Sequence, residues 1–134
     1  MKTIIYLMGL SLIFMMNLNP QAKEKHKKLQ LETKLATDSV EYDLLVFEPG
    51  FEAFLAKVPY SKEFYGDEYY KSWNLLYVSE WNARALNPLK YGDFYETQID
   101  YEAQIDYGLD LNFKLYQYFQ FIEKEYGIIL LKRK

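Results

Sequence analysis

Apolar and polar positions follow three rhythms along this chain, and each predicts a different kind of element. From Ile4 to Leu18 fifteen residues pass without a charge, after Lys2 and before Asn19-Pro20. A short basic start, an apolar stretch and a polar break make up the layout of a secretory leader. A helix of that length spans about 22 Å, short of the roughly 30 Å of bilayer hydrocarbon. Residues 1–22 are therefore read as a signal peptide or anchor. Residues 23–40 carry no sustained apolar stripe and are read as a polar linker, which leaves 41–134 as one folded domain.

Within that domain Tyr42-Asp43-Leu44-Leu45-Val46-Phe47 is a compact, partly β-branched run closed by Glu48-Pro49-Gly50, the pattern of a buried strand entering a turn. Phe51, Phe54, Leu55 and Val58 recur at helical spacing, and Pro59 stops them. A long helix is predicted from Asp67 to about Leu86, with Tyr70, Trp73, Tyr77 and Trp81 along one stripe and Asn87-Pro88 at its end. A second runs from Leu109 to Tyr126, followed by Gly127 as C-cap. Ile128 to Leu131 reads as a short closing strand. Between the long helices, Gln98-Ile99-Asp100-Tyr101 recurs as Gln104-Ile105-Asp106-Tyr107. Apolar and polar residues alternate strictly from 98 to 107, the mark of an extended strand wet on one side. The expected architecture is α+β: two long antiparallel helices and one short one, packed on a small sheet of 42–47, 128–131 and 98–107.

Composition narrows the function. Aromatic residues make up 19% of the chain and tyrosine supplies 14 of them, enough rings to stabilise a modest core with several left half-exposed. No cysteine is present, which excludes disulfides, thiolate metal sites, thiol catalysis and a lipid-bearing cysteine. The single histidine, His26, lies in a basic run from Lys23 to Lys28, where it is read as a bystander rather than a base or ligand. Residues 41–134 hold 16 acids against 10 bases, a net of −6. Nucleic acid is a poor partner for such a surface, because phosphate contacts need clustered Lys and Arg.

Candidate chemistry is sparse. From Tyr91 to Phe113 there are six acids and no Lys or Arg. Oxygen-rich runs can hold hard cations, but these acids lack a glycine turn to gather them, so a solvated acidic edge is the better reading. The aromatic stripe of the first long helix could stack sugars, although rings at helical spacing are more often core. No phosphate loop, nucleophile elbow or histidine-based metal pattern occurs. No cofactor is expected. Asn82, Tyr91 and Asp93, polar groups beside rings near a helix end, are the candidate ligand-binding residues; their competing role is to cap and turn the chain.

A succession of local motifs runs through the domain: Leu45-Val46-Phe47-Glu48-Pro49-Gly50-Phe51-Glu52, Glu68-Tyr69-Tyr70, Trp73-Asn74, Glu80-Trp81-Asn82, Asn87-Pro88, Tyr91-Gly92-Asp93, Ile105-Asp106-Tyr107-Gly108 and Leu115-Tyr116-Gln117-Tyr118-Phe119. Over about residues 41–131 this resembles a group of small exported proteins of Bacteroidota-type bacteria, filed as a domain of unknown function. The resemblance implies a periplasmic or envelope location and supplies no activity or site residues. The function expected is therefore a non-enzymatic envelope domain that binds another envelope protein or an envelope component such as a glycan. The alternative is a carbohydrate-binding or glycan-processing domain, and contact with a membrane is expected only through the N-terminal segment.

Overall fold

A computed structural model describes residues 28–36 and 39–134, so the signal peptide or anchor expected at 1–22 and the first part of the expected linker, 23–27, lie outside the described residues. The elements, in order, are β1 (Leu29–Ala36), β2 (Ser39–Val46), α1 (Phe51–Ala56), a 3₁₀ turn (Lys62–Phe64), α2 (Asp67–Ala85), α3 (Pro88–Tyr91) and α4 (Leu109–Tyr126). The fold is α+β with a two-stranded antiparallel sheet and four helices.

β1 corrects the linker reading. Leu29, Leu31 and Leu35 alternate with Gln30, Glu32 and Lys34, and the strand pairs with β2 in the register Leu29↔Val46, Thr33↔Tyr42 and Leu35↔Val40. Leu29 and Leu44 are buried on the face that meets the helices. Towards the hairpin tip the same face loses its cover, and Leu35 stands 87% exposed.

α4 is the centre of the molecule. It starts after Gly108 and ends at Gly127, whose left-handed φ of 64° terminates the helix where a side chain would be strained. Nine of its residues are buried, because it packs against α2 on one side, α1 on another and β2 on a third. α2 carries Asp67 and Glu68 in its first turn, where they complement the helix dipole. Tyr70, Asn74, Tyr77, Val78 and Trp81 face inward from it, and Leu86 ends it before Asn87-Pro88.

The two long helices run in the same direction, which corrects the antiparallel expectation. Tyr70 packs on Phe113 at 5.3 Å and on Tyr116 at 5.2 Å. About two turns further along α2, Tyr77 stacks on Phe119 at 4.9 Å and donates a hydrogen bond to Glu123 at 2.9 Å. Contacts climb both helices together. Short connections make neighbouring helices antiparallel, but the segment from Leu86 to Gly108 is long enough to bring the chain back to the start of α2.

That returning segment forms no strand, and neither do residues 128–131, so the predicted three-member sheet does not exist. The alternation marked burial in part: Ile99, Tyr101 and Tyr107 are buried and Gln98, Asp100, Glu102, Gln104 and Asp106 exposed, but Ala103 is exposed and Ile105 only half-buried, because the chain turns at 103–105. Residues 128–134 lie back along α2 and α4. Leu130 is buried and donates its N–H to Glu123, while the Ile129 carbonyl accepts from Arg84 at 3.0 Å.

Candidate functional site

The returning segment is held to α2 by side chains that stand where a neighbouring strand would. Asn82 donates from Nδ2 to the Ile99 carbonyl at 2.9 Å and accepts from the Ile99 N–H at 2.7 Å. Trp81 donates from Nε1 to the Thr97 carbonyl at 3.0 Å. An extended chain alternates its backbone groups, so with 97 and 99 turned to α2, those of Gln98 and Asp100 turn away from it. The chain enters this stretch at Glu96, whose φ of 45° is left-handed and uncommon for a side-chain-bearing residue.

The sequence repeat closes the far end. Tyr101 and Tyr107, equivalent positions in the two copies, stack at 4.7 Å with planes 18° apart. Tyr42 of β2 meets Tyr107 edge-on at 4.9 Å. The Tyr107 hydroxyl accepts the Glu102 N–H at 2.9 Å, while Tyr101 donates to Asn112 Oδ1 at 2.7 Å inside the core. Asn112 in turn donates to Asp67, and Asn74 donates to the Asn112 carbonyl. Burial pushes the Tyr101 phenol up to about 12, so it stays a neutral donor at any ordinary pH.

Facing this segment is the outer edge of β1. The Phe47 N–H donates to the Lys28 carbonyl at 2.8 Å, so Lys28 and Phe47 form a hydrogen-bonded pair. By antiparallel alternation Gln30, Glu32 and Lys34 also address β2, and the N–H and C=O groups of Leu29, Leu31 and Thr33 point away from it. Between that edge and residues 97–107 lies a slot of about 380 Å³, with Leu29, Leu31, Ile99 and Tyr107 in its walls. Asp100 and Glu102 stand exposed on its rim. The slot thus offers the free edge of one strand, an apolar floor and an acidic lip, features suited to holding an extended chain.

The three residues singled out from sequence do not converge here. Asn82 works from behind the slot wall, with both ends of its amide taken by Ile99. Tyr91 is half-buried, with the Arg84 guanidinium 5.2 Å and the Lys90 ammonium 5.1 Å from its ring centre. Asp93 is exposed in the turn after Gly92, where its carbonyl accepts the Glu96 N–H. Neither Tyr91 nor Asp93 lines the slot. In the aromatic stripe Tyr70, Tyr77 and Trp81 are buried, and the Arg133 guanidinium covers half-buried Trp73 at 3.9 Å. Sequence reasoning overlooked the edge of β1, whose Leu29, Leu31, Leu35 alternation was the available signal.

Among the described residues no three His, Asp or Glu side chains form a group that could hold a metal ion, and no helix is long and apolar enough to cross a membrane. No solved structure and no curated protein matches the chain. A family of unknown function, DUF6146, matches residues 5–133. Spanning nearly the full sequence, that match makes the chain a member of the DUF6146 family.

Proposed function

We propose that this protein is an exported, non-enzymatic interaction domain that takes an extended polypeptide into the slot beside β1. The observation that carries the proposal is the row of outward backbone groups at Leu29, Leu31 and Thr33 across from residues 97–102. An unpaired edge of this kind is the receptor in β-strand addition, where main-chain hydrogen bonds supply affinity and alternate side chains supply specificity. The acidic lip at Asp100 and Glu102 selects a strand whose outward residues are Lys or Arg, and the apolar floor selects Val, Ile or Leu inward. The leader-like run Ile4 to Leu18 supports delivery to the periplasmic or envelope side, and the net −6 of residues 41–134 supports a protein partner over nucleic acid.

The test is a titration with a peptide of about six residues alternating Val and Lys, compared with its Val–Glu counterpart. Amide hydrogen exchange should slow at Leu29, Leu31 and Thr33, with little change at Gln30 and Glu32, which already address β2. Equal binding of both peptides, or protection elsewhere than at those three amides, would sink the proposal. Fractionation of cells making the full chain tests the location, and recovery from the cytosol alone would reject it.

A glycan-binding reading keeps one favourable observation. Phe64 and Tyr65 are exposed, and Tyr65 stacks on Tyr69 at 4.2 Å with planes 13° apart, leaving outer ring faces available to a sugar. A glycan array with Tyr65→Ala as its control separates this reading from the peptide slot.

A further inference from the structure

On the opposite side of α2 from the slot, three rings surround one cation. The Arg133 guanidinium lies 3.9 Å from the Trp73 ring centre, 5.2 Å from Tyr116 and 5.4 Å from Tyr77. Its Nη1 donates to the Tyr116 hydroxyl at 2.8 Å. We propose that Trp73, Tyr77 and Tyr116 form a binding site for the guanidinium group of an arginine-bearing ligand, and that Arg133 of the same chain occupies it as an internal competitor.

The cage does not owe its shape to Arg133. Tyr77 is fixed by stacking on Phe119 at 4.9 Å and by hydrogen bonds with Glu123 and Gln120. Tyr116 is fixed by Tyr70 at 5.2 Å and Tyr69 at 5.8 Å, and Trp73 stands between Tyr69 and Tyr77. Glu123 lies behind Tyr77 and adds a negative charge to the ring faces that already attract a cation. Nor does the segment 128–134 depend on Arg133 for its place. Buried Leu130, its bond to Glu123 and the Arg84 bond to the Ile129 carbonyl already hold it. Arg133 therefore fills a preformed site from an exposed position at the end of a short tether.

Three rings alone would accept any organic cation. The Tyr116 hydroxyl adds a hydrogen-bond acceptor aimed at the guanidinium edge, which a quaternary ammonium cannot use. That contact chooses arginine over a quaternary ammonium. Because a short tether presents its group at an effective concentration on the order of millimolar, a free ligand competes poorly until Arg133 is removed.

The experiment uses the full chain carrying Arg133→Ala and follows Trp fluorescence during titration with N-acetyl-arginine amide. Saturable quenching is expected, with apparent affinity at least about tenfold above that of the unaltered protein and little response to tetramethylammonium. Adding Trp73→Leu should abolish it. Arg133→Gln, which keeps a donor for Tyr116 but no charge, gives the same prediction if the alanine variant folds poorly. The proposal is overturned if both folded variants fail to bind the arginine probe, bind it no better than the unaltered protein, or prefer tetramethylammonium.

Discussion

Replacing Asn82 with alanine should loosen the returning segment more than its half-exposed position suggests. The substitution removes two hydrogen bonds, at 2.9 and 2.7 Å, and leaves the N–H and C=O of Ile99 without partners. Ile99 is only 5% exposed, so water has little room to replace the amide. A buried backbone group left unsatisfied costs about 1–3 kcal/mol; with two such groups at a partly accessible site, the expected loss is about 2–4 kcal/mol. In a domain of this size that corresponds to a fall of about 10–20 °C in Tm. Urea denaturation gives the free energy directly, with Gln98→Ala, an exposed neighbour, as a control expected to stay within about 0.5 kcal/mol. Asn82→Asp sharpens the test: it keeps an acceptor for the Ile99 N–H but sets a charged oxygen against the Ile99 carbonyl, and should be no better than alanine. A loss below about 0.5 kcal/mol for Asn82→Ala, or an aspartate variant as stable as the parent, would refute the strand-mimicking role. So would an unchanged affinity for the Val–Lys peptide in a destabilised variant.

Other substitutions test neighbouring parts of the fold. Tyr101→Phe orphans Asn112 Oδ1 and should cost about 1–2 kcal/mol by urea denaturation, whereas a neutral result would deny the buried network any weight. Burial holds Tyr101 at about 12, and a bond to the Glu48 carboxylate holds Tyr126 there too, against an ordinary tyrosine value near 10. The folded state therefore retains protons that the unfolded chain releases, so this stability is complete below about pH 10 and is lost as pH rises through about 12. Tyrosinate absorbance should show an early wave from exposed rings and a later one coincident with unfolding; a single reversible wave would contradict it. Gly127→Ala meets open space, yet its φ of 64° should make it destabilising by about 1 kcal/mol. Lys28 pairs with Glu48 at 3.4 Å and lies 3.2 Å from the Phe94 ring centre, so Lys28→Met should cost about 1–2 kcal/mol. Lys34, bonded to Asp43 in full solvent, should be replaceable by alanine with no measurable shift of the urea midpoint.

The helices were legible because their boundaries are written in local chemistry. Asp67 and Glu68 open α2, Asn87-Pro88 closes it, and Gly127 closes α4, so both long helices lie where the periodicity placed them, to within a residue. Direction was not legible, since it depends on how far the connection travels and not on any residue within a helix. β1 was missed because Thr33 and the charges around it diluted a real alternation, and because a polar stretch behind a long apolar run invites the reading of a tether. In residues 98–107 alternation reported which side is buried at Ile99, Tyr101 and Tyr107, and failed at Ala103, where the chain turns. It could not report what satisfies the backbone, and here the partner is the amide of Asn82. The same limit hid the site: Asn82 is set apart by its neighbours in sequence but serves Ile99, while the slot is made by the edge of a strand that had not been seen. Arg133 gave no sign of its cage, because Trp73, Tyr77 and Tyr116 come together only once α2 and α4 run side by side.

The place of α4 has a consequence for how the protein is made. β2, α1 and α2 pack on a helix that begins 40 residues or more after the start of each of them. Until Ile122 and its neighbours have been synthesised, the earlier elements have little to pack against, and closing so wide a loop is slow compared with zipping up a local hairpin. A nascent chain leaving the ribosome therefore stays pliable until α4 has emerged, and the domain closes late and all at once rather than element by element.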